Sequence, residues 1–433
     1  MTSTASTPDT GAPDTSTPGT GAPGTGTGTG RNDAPLLTAA EPPPAKERLP
    51  ILKLLAFTAA GFLAIMTETM PAGLLPQISK GLGVSEGLAG QLVTLYAIGS
   101  VVAAIPVIAA TRAMSRRPLL LYAVGSLFVF NTVTALSTNY ALTLGARFVA
   151  GMASGVIWGL LAGYSRRLVP EHLQGRALAV VGVGQPIALT FGVPLGTLLG
   201  SLFGWQGVFW IMSAVALLLV VWVRTLVPNF PGQAAEQRLP IRKIFLTPGI
   251  RPILAVIFLW ILAHNILYTY IAPFMAKAGL GERVDVMLLV FGATAIAGIW
   301  FTGLFVDRKL RVLTLASLGG FAAAALILGI GQNSPVAVVI GVVAWGLTFG
   351  GAPTLLQTAI ADAAGDGADV AQSMLVTIFN LAVAGGGLVG GLLLESSGAG
   401  TFPWVLLALG VVALLVVGAA KSHAFKAGRR GAA

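Results

Sequence analysis

The sequence predicts an all-α integral membrane protein with twelve transmembrane helices. Of its 433 residues, 55% are hydrophobic and 10% are charged, and the mean hydropathy is +0.84. Soluble domains carry about 25% charged residues. A helix that crosses a bilayer needs about 20 mostly apolar residues, because every backbone N–H and C=O must be paired within the segment.

Twelve apolar runs of this kind are present. Six precede an amphiphilic stretch that contains proline, and six follow it. The first six are Ile51–Leu75, Leu88–Ala110, Leu119–Leu136, Tyr140–Tyr164, Ala177–Phe203 and Val208–Leu226. The second six are Ile253–Met275, Val286–Val306, Val312–Ile330, Pro335–Ile360, Met374–Leu394 and Phe402–Ala420.

The segments between and beyond these runs define the predicted domains. Residues 1–48 are rich in Thr, Gly and Pro, and we expect a disordered cytoplasmic tail, because the segment has little to bury and lacks the pattern of a signal peptide. The remaining predicted parts are a six-helix bundle at 49–227, a cytoplasmic linker at 228–250, a second six-helix bundle at 251–421 and a short cytoplasmic tail at 422–433.

The net charge of +10 follows membrane topology and does not indicate a nucleic-acid partner. With both termini inside, 22 of the 26 Lys and Arg residues fall on cytoplasmic segments. Lys80, Lys277 and Arg283 lie outside, and Arg147 lies within a span. The positive-inside rule therefore predicts a multi-pass protein of the cell (plasma or inner) membrane with both termini in the cytoplasm.

Residue types exclude several functional classes. The chain has no cysteine and three scattered histidines, so it offers no thiolate metal site and no clear imidazole site, and we expect no cofactor. It lacks an H-E-x-x-H motif, an intramembrane aspartate pair and a nucleophile–base arrangement, which argues against an enzyme. A channel is an alternative that saturable, gradient-coupled flux would exclude.

An internal repeat relates the two halves of the chain. The charged loop at 111–117 and the loop at 306–312 are 195 residues apart, as are glycines of the fifth and eleventh spans. Such repeats are typical of transporters built from two related bundles. The matching pairs are Arg112 with Asp307, Arg116 with Arg311, Gly192 with Gly387, and Gly196 with Gly391.

Between Ile51 and Ala420 the sequence resembles the major facilitator superfamily, in particular its twelve-span drug:proton antiporters and sugar-efflux permeases. The most specific match is the loop from Gly303 to Arg311, which fits that superfamily's G-x-x-x-D-R-x-x-R motif through Asp307 and Arg308. In the first half, Arg112 stands where the family usually has aspartate.

Three further motifs carry the resemblance. The segment 147–151 is similar to the family's embedded-arginine motif, and Gly192, Pro194 and Gly196 are similar to the glycine–proline motif of its antiporters. The segment 68–76 is similar to the first-span signature of the efflux branch. The resemblance implies two pseudo-symmetric bundles that work by alternating access.

The same resemblance implies that the short cytoplasmic loops act as gates through charge contacts. Pure topological anchoring is the alternative interpretation of these charges. The residues concerned are Arg112, Arg116, Arg117, Gly303, Asp307, Arg308 and Arg311.

Ionisable side chains inside a span are costly, by at least about 2.5–3.5 kcal/mol, and need an explanation. Glu68 and Arg147 both lie roughly 10–12 Å below the predicted outer surface, at 1.5 Å of rise per residue. We expect a buried pair. It is either a structural ion pair or a proton-coupling site, and the sequence favours proton coupling.

His264 is the embedded imidazole of the second half, close to the repeat counterpart of Glu68. We expect it to line a substrate cavity, although a core histidine satisfied by one hydrogen bond is an alternative. Neutral polar groups in the spans are further candidates for the cavity, or they hold helices together. These are Asn265, Gln357, Asn380 and Gln185.

Together these features predict a secondary active transporter that exports a small neutral or lipophilic solute, such as a drug-like compound or a sugar, by proton antiport. Proton-coupled uptake of a small nutrient is the alternative. The expected partners are the solute, protons and the lipid bilayer, and we expect a monomer.

Overall fold

The computed structural model describes residues 49–104, 107, 110–111, 113–232 and 241–425. Within these ranges the chain is a bundle of α-helices without a strand. The predicted tail at 1–48, Arg112, most of the C-terminal tail and part of the linker lie outside the described residues.

The first four predicted spans are four long helices with one short helix after the first. The fifth helix of this group begins after a capping residue, since the Asn139 side chain accepts a hydrogen bond from the Leu142 N–H. The helices are α1 (Ile51–Gly73), α2 (Leu75–Leu82), α3 (Glu86–Ala104), α4 (Arg116–Leu136) and α5 (Tyr140–Arg166).

Predicted spans five and six form one helical path with a sharp bend. Gly204 has φ of 71°, a conformation that costs glycine little, and it turns the path between the two spans. The elements are α6 (Gln174–Gly182), α7 (Gly184–Ile187), a π-helical turn (Ala188–Gly192) and α8 (Val193–Leu226).

The second half repeats this plan. Its eighth and ninth predicted spans are one helical path that bends at Lys309, where φ is −141°. The helices are α9 (Ile241–Phe245), α10 (Ile250–Thr269), α11 (Ile271–Lys277), α12 (Val284–Ile330), α13 (Pro335–Gly350), α14 (Ala352–Ala364), α15 (Ala368–Ser397) and α16 (Phe402–Ala419).

Ten helical stretches of the described chain are long and apolar enough to cross a membrane. Two of them, of 53 and 50 residues, each contain two of the predicted spans on either side of a bend, which is consistent with twelve crossings. Large apolar side chains on the outside of the bundle, such as Leu218 and Ile330, are exposed at 70% and 74%. This surface suits lipid rather than water.

The repeat of 195 residues reappears in the helix contacts. In the first half a Cβ atom at Gly151 would collide with the carbonyl oxygen of Tyr96, because α5 and α3 touch there through their backbones. In the second half Gly346 of α13 meets the carbonyl oxygen of Phe291 of α12 in the same way. Both members of the second contact are 195 residues after those of the first. Small residues permit this close approach.

A break follows the first helix of each half. Helix α1 is followed by Leu74, which has φ −112° and ψ 12°, and α10 is followed by Tyr270, which has φ −112° and ψ 34°. Glu68 and His264 each lie six residues before the break. Both pairs are 196 residues apart, one more than the offset of the loop motif.

Candidate functional site

Helix α1 carries Glu68 into the interior of the first half. Its side chain is 8% exposed, and the preceding Thr67 is fully buried. The amide of Asn131 on α4 donates to the Thr67 hydroxyl at 3.2 Å, so this turn of α1 is held by a neighbouring helix.

Arg147 of α5 is fully buried and bonds to the main chain of the same turn. Its Nη2 donates to the carbonyl oxygen of Thr67 and, at 3.4 Å, to that of Glu68, and its Nε donates to the carbonyl oxygen of Leu92 at 3.4 Å. The Thr67 carbonyl is free for this contact because its usual partner in the helix, four residues later, is Pro71, which has no N–H.

Aromatic rings complete the surroundings of the guanidinium. Its Cζ lies 4.6 Å from the centre of the Tyr96 ring and 5.7 Å from that of Phe209, within the range of cation–π attraction. The Tyr96 hydroxyl donates to the carbonyl oxygen of Ala64 on α1 at 2.9 Å. Glu68 and Arg147 are therefore neighbours, as the sequence predicts, but the hydrogen bonds of Arg147 go to backbone carbonyls and not to the carboxylate.

In the second half, His264 lies within a group of aromatic side chains from α10, α12 and α13. The imidazole and the Phe349 ring are parallel, at 6°, with centroids 3.7 Å apart. The Trp345, Tyr268 and Phe291 rings lie 5.2, 5.2 and 5.6 Å from it. We call these five residues, His264, Tyr268, Phe291, Trp345 and Phe349, the aromatic cluster.

Three polar atoms of the aromatic cluster are buried without a hydrogen-bond partner in the described part of the chain. They are Nδ1 of His264, the hydroxyl oxygen of Tyr268 and the indole nitrogen of Trp345. Buried polar groups are nearly always paired, so three unpaired atoms on touching rings require an explanation.

The other predicted cavity residues differ in their surroundings. The side-chain amides of Asn265 and Asn380 each donate, at 2.9 Å, to a carbonyl of their own helix four residues earlier. Asn265 also packs against Gly386 of α15. Gln185 on α7 is half-buried and Gln357 on α14 is exposed, so neither joins the buried aromatic cluster.

The glycine–proline motif packs against α1. A Cβ atom at Gly192 would collide with the sulfur of Met66, and one at Gly196 with the end of Met70. Pro194 is buried and follows the π-helical turn. The motif therefore brings the α1 helix, which carries Glu68, close to the π-helical turn and α8.

The two halves meet at their predicted outer ends. The Tyr270 hydroxyl donates to the carbonyl oxygen of Gly387 at 2.7 Å and lies 3.2 Å from that of Gly87, while the Gln91 amide donates to the Gly387 carbonyl at 3.2 Å. The Ser85 hydroxyl donates to the Glu395 carboxylate. We call this contact between α3, Tyr270 and α15 the outer seam.

A second cross-half contact lies on the π-helical turn. The Thr190 hydroxyl donates to the carbonyl oxygen of Gly292 on α12 at 3.2 Å. A Cβ atom at Gly292 would collide with the backbone of Thr190, so the two elements touch directly.

The predicted gating residues of the first half contact the start of the linker. The backbone N–H of Arg116 donates to the carbonyl oxygen of Phe230 at 2.9 Å, and that of Arg117 to the side-chain oxygen of Asn229 at 3.2 Å. Arg112 lies outside the described residues.

In the second half, Arg311 binds the end of the last helix. Its guanidinium donates to the carbonyl oxygens of Val417, Gly418 and Phe425 at 2.9, 3.0 and 3.1 Å. Gly303, Asp307 and Arg308 are exposed around the bend of α12. Arg311 thus satisfies unpaired carbonyls at a helix C-terminus within its own half.

Several residues of the site were not identified from the sequence. Aromatic residues such as Tyr268 and Trp345 are common in spans and have no distinctive spacing. Pro71 gave a usable signal, because a proline in a helix leaves the carbonyl four residues earlier without its partner. An embedded arginine is the natural donor to such a carbonyl.

A multi-pass helical bundle with an embedded acid and arginine, built from two related halves that touch at the outer seam and at Thr190, is a membrane transporter and not an enzyme. The family model described as Major Facilitator Superfamily matches residues 57–370. The chain belongs to the Major Facilitator Superfamily.

Curated relatives are efflux pumps. The purine ribonucleoside efflux pumps NepI of Escherichia coli strain K12 and of Escherichia coli O157:H7 are 30% identical over 337 residues, which cover 77% of this chain and 85% of each pump. Among solved structures, the human organic anion transporter MFSD10 (TETRAN) aligns with a TM-score of 0.65 and 16% identity over 86% of this chain and 100% of the other. This structural likeness shows a shared fold.

Proposed function

We propose that the protein exports a small neutral or lipophilic solute from the cytoplasm in exchange for protons, by alternating access. The observation that carries the proposal is the burial of Glu68 next to Arg147, whose hydrogen bonds go to the α1 backbone. An acid kept inside a span at such cost is a candidate carrier of the coupling proton.

The chemistry of the pair suits a reversible proton site. Burial disfavours the charge on a carboxylate, whereas a nearby guanidinium favours it. Because Arg147 is held by the carbonyls of Thr67 and Leu92, its charge stays beside Glu68 whichever state the carboxyl has. A change in water access to the site can therefore load or release a proton.

The outer seam supports alternating access. The outer seam closes the end of the bundle that we predict to face outward. With both termini in the cytoplasm, as we propose, the structure is therefore closed to the outside. The seam consists of a few hydrogen bonds and close glycine contacts. We propose that the protein lies in the cell membrane and that the two sides of the outer seam separate when it opens outward.

Two observations support a neutral solute. Among the described residues of the second half, aromatic side chains and amides lie near His264, and no acid or arginine pair like that of the first half lies there. The purine ribonucleosides for which the relatives are named are neutral molecules. We therefore take purine ribonucleosides as the first candidates, followed by lipophilic drugs and sugars.

Inside-out membrane vesicles with an acidic interior test the proposal. We expect vesicles containing the protein to accumulate labelled adenosine, a lipophilic dye or a neutral disaccharide, and an uncoupler to abolish the accumulation. The Glu68→Gln variant should still bind the solute but should not accumulate it. Glu282→Gln, the same change at an exposed residue, is the matched control and should transport normally.

Two outcomes would contradict the proposal. Undiminished gradient-driven accumulation by Glu68→Gln would show that this carboxyl does not carry the proton. Accumulation in right-side-out vesicles under an inward proton gradient, without export activity, would establish the alternative, proton-coupled uptake of a nutrient.

A further inference from the structure

The aromatic cluster differs from a plain apolar core in its arrangement and in its polar atoms. Its residues come from three helices, α10, α12 and α13, and they converge on one imidazole. Two of its members, Tyr268 and Trp345, carry polar groups that an apolar side chain at the same place would not leave unpaired. A single unpaired buried group also occurs elsewhere in the described chain, as at Trp222, but three of them on touching rings point to a partner outside the chain.

All five side chains of the aromatic cluster are buried. His264 and Phe349 are the most exposed of them, at 9% and 8%, whereas Trp345 is 1% and Tyr268 is 3% exposed. A ligand would reach the unpaired atoms once the Phe349 side chain turned away from the imidazole.

Phe349 lies at the junction of two helices. It is the last residue before Gly350 and Gly351, where α13 ends and α14 begins. Its ring now covers the His264 imidazole in a parallel stack with centroids 3.7 Å apart. A flat ligand ring fits the same face at the same spacing.

The unpaired atoms define what the ligand must offer. The Trp345 indole nitrogen is a donor, the Tyr268 hydroxyl donates or accepts, and Nδ1 of His264 does either according to its tautomer. A ring with nitrogen or oxygen acceptors that also carries a polar substituent satisfies all three, and a plain hydrocarbon ring satisfies none.

We propose that the aromatic cluster is the binding site for a planar, nitrogen-containing heteroaromatic ring of the transported solute. The ring stacks on the His264 imidazole, and the Trp345 indole and the Tyr268 hydroxyl bind its edge. Nδ1 of His264, which lies in the plane of the imidazole, binds a polar substituent beside the stack. The site rests on the proposed export function and specifies the substrate class, a solute with a nucleobase-like ring. The pair of Glu68 and Arg147 in the first half has no part in ring recognition.

Equilibrium binding to the purified full-length protein, without any gradient, tests the site. Adenosine is the probe, and ribose, which lacks the heteroaromatic ring, is the control ligand. We expect adenosine to bind at least about tenfold more tightly than ribose. Tyr268→Phe removes only the hydroxyl, whereas Trp345→Phe removes the indole N–H and also makes the side chain smaller. Each should weaken adenosine binding about three- to tenfold.

Trp222→Phe is the matched control. The Trp222 indole nitrogen is also buried without a partner in the described chain, but it borders an apolar groove next to Leu55 and Phe62 of α1. Its replacement should leave adenosine affinity unchanged. Thermal unfolding of Tyr268→Phe separates binding from structure, because this variant loses only an unpaired oxygen and the Tm of the ligand-free protein should stay unchanged or rise.

Three outcomes would overturn the site. They are equal affinity for adenosine and ribose, unchanged adenosine affinity in both Trp345→Phe and Tyr268→Phe, or a fall in the Tm of Tyr268→Phe, which would show that its hydroxyl has a structural partner. Failure of this test is distinct from failure of the proposed export. Glu68-dependent accumulation of a non-aromatic solute would preserve the export proposal and exclude the aromatic site.

Discussion

The Tyr270 hydroxyl of the second half donates a hydrogen bond of 2.7 Å to the carbonyl oxygen of Gly387 and lies 3.2 Å from the carbonyl oxygen of Gly87 in the first half. Tyr270 is also the residue at which the path from α10 to α11 breaks. One side chain thus links the outer seam to the backbone break that lies six residues after His264.

Tyr270→Phe should favour the outward-open state. A single hydrogen bond contributes about 0.5–1.5 kcal/mol, so the open population should rise by about two- to tenfold. Because the chain has no cysteine, Thr94→Cys provides a unique label site on α3 beside Gly387, where the residue is 4% exposed. We expect an impermeant maleimide added from outside to label this site faster in the Tyr270→Phe background.

Tyr140→Phe is the control for the outer seam. The Tyr140 hydroxyl donates to the carbonyl oxygen of Leu88 at 2.9 Å, and both residues belong to the first half. This variant should not change the labelling rate. Equal rates in all three backgrounds would show that the Tyr270 hydroxyl does not stabilise the closed outer end.

Gly151→Ala should destabilise the first half. The new methyl group would collide with the Tyr96 carbonyl oxygen, a backbone atom that cannot move without shifting α3. We expect a loss of about 1–3 kcal/mol of stability, seen as a lower Tm in detergent.

Gly163→Ala on the same helix is its matched counterpart. A Cβ atom at Gly163 meets nothing within 4 Å, so the change should be neutral or stabilising by up to about 1 kcal/mol. Similar Tm values for the two variants would contradict the backbone contact between α5 and α3.

Arg147→Lys should be strongly destabilising although it keeps the charge. A lysine ammonium cannot donate to the carbonyls of Thr67 and Leu92 together while stacking on Tyr96. Loss of a hydrogen bond from a charged group costs about 1.5–3 kcal/mol, and thermal unfolding should show a fall of that size. Arg167→Lys, at an exposed residue bound to the Pro231 carbonyl, should change the Tm little.

Arg311→Ala should loosen the end of α16. The carbonyls of Val417 and Gly418 would lose their donor, so amide hydrogen exchange in residues 416–425 should become faster. Arg308→Ala, at the exposed neighbour on the same bend, is the control and should leave exchange there unchanged. Unchanged exchange in both variants would show that Arg311 does not hold this helix end.

The fold was predictable because a chain that crosses lipid must pair its backbone polar groups, which few structures other than helices can do. Twelve apolar runs, each long enough to pair its own backbone, give the helices almost directly. The predicted loops between Phe203 and Val208 and between Val306 and Val312 are sharp bends at Gly204 and Lys309. The offset of 195 residues found in the loop motif also relates the contacts of Gly151 and Gly346.

The site was predictable where a side chain is out of place in lipid. Glu68, Arg147 and His264 are identifiable because a charge or an imidazole in a span is costly. The hydrogen-bond partners of Arg147 were not identifiable from the sequence, because backbone carbonyls have no sequence signature. The aromatic cluster depends on the close packing of α12 on α13, and a linear sequence does not show which aromatic rings such packing brings together.

Pro71 illustrates how a missing atom can fix the position of a charge. Its lack of an N–H frees the Thr67 carbonyl, which Arg147 then binds. The arginine is thereby anchored to the backbone of α1. In the proposed proton antiport, the coupling proton on Glu68 would move past this stationary cation, and the arginine side chain would not need to rearrange at each turnover.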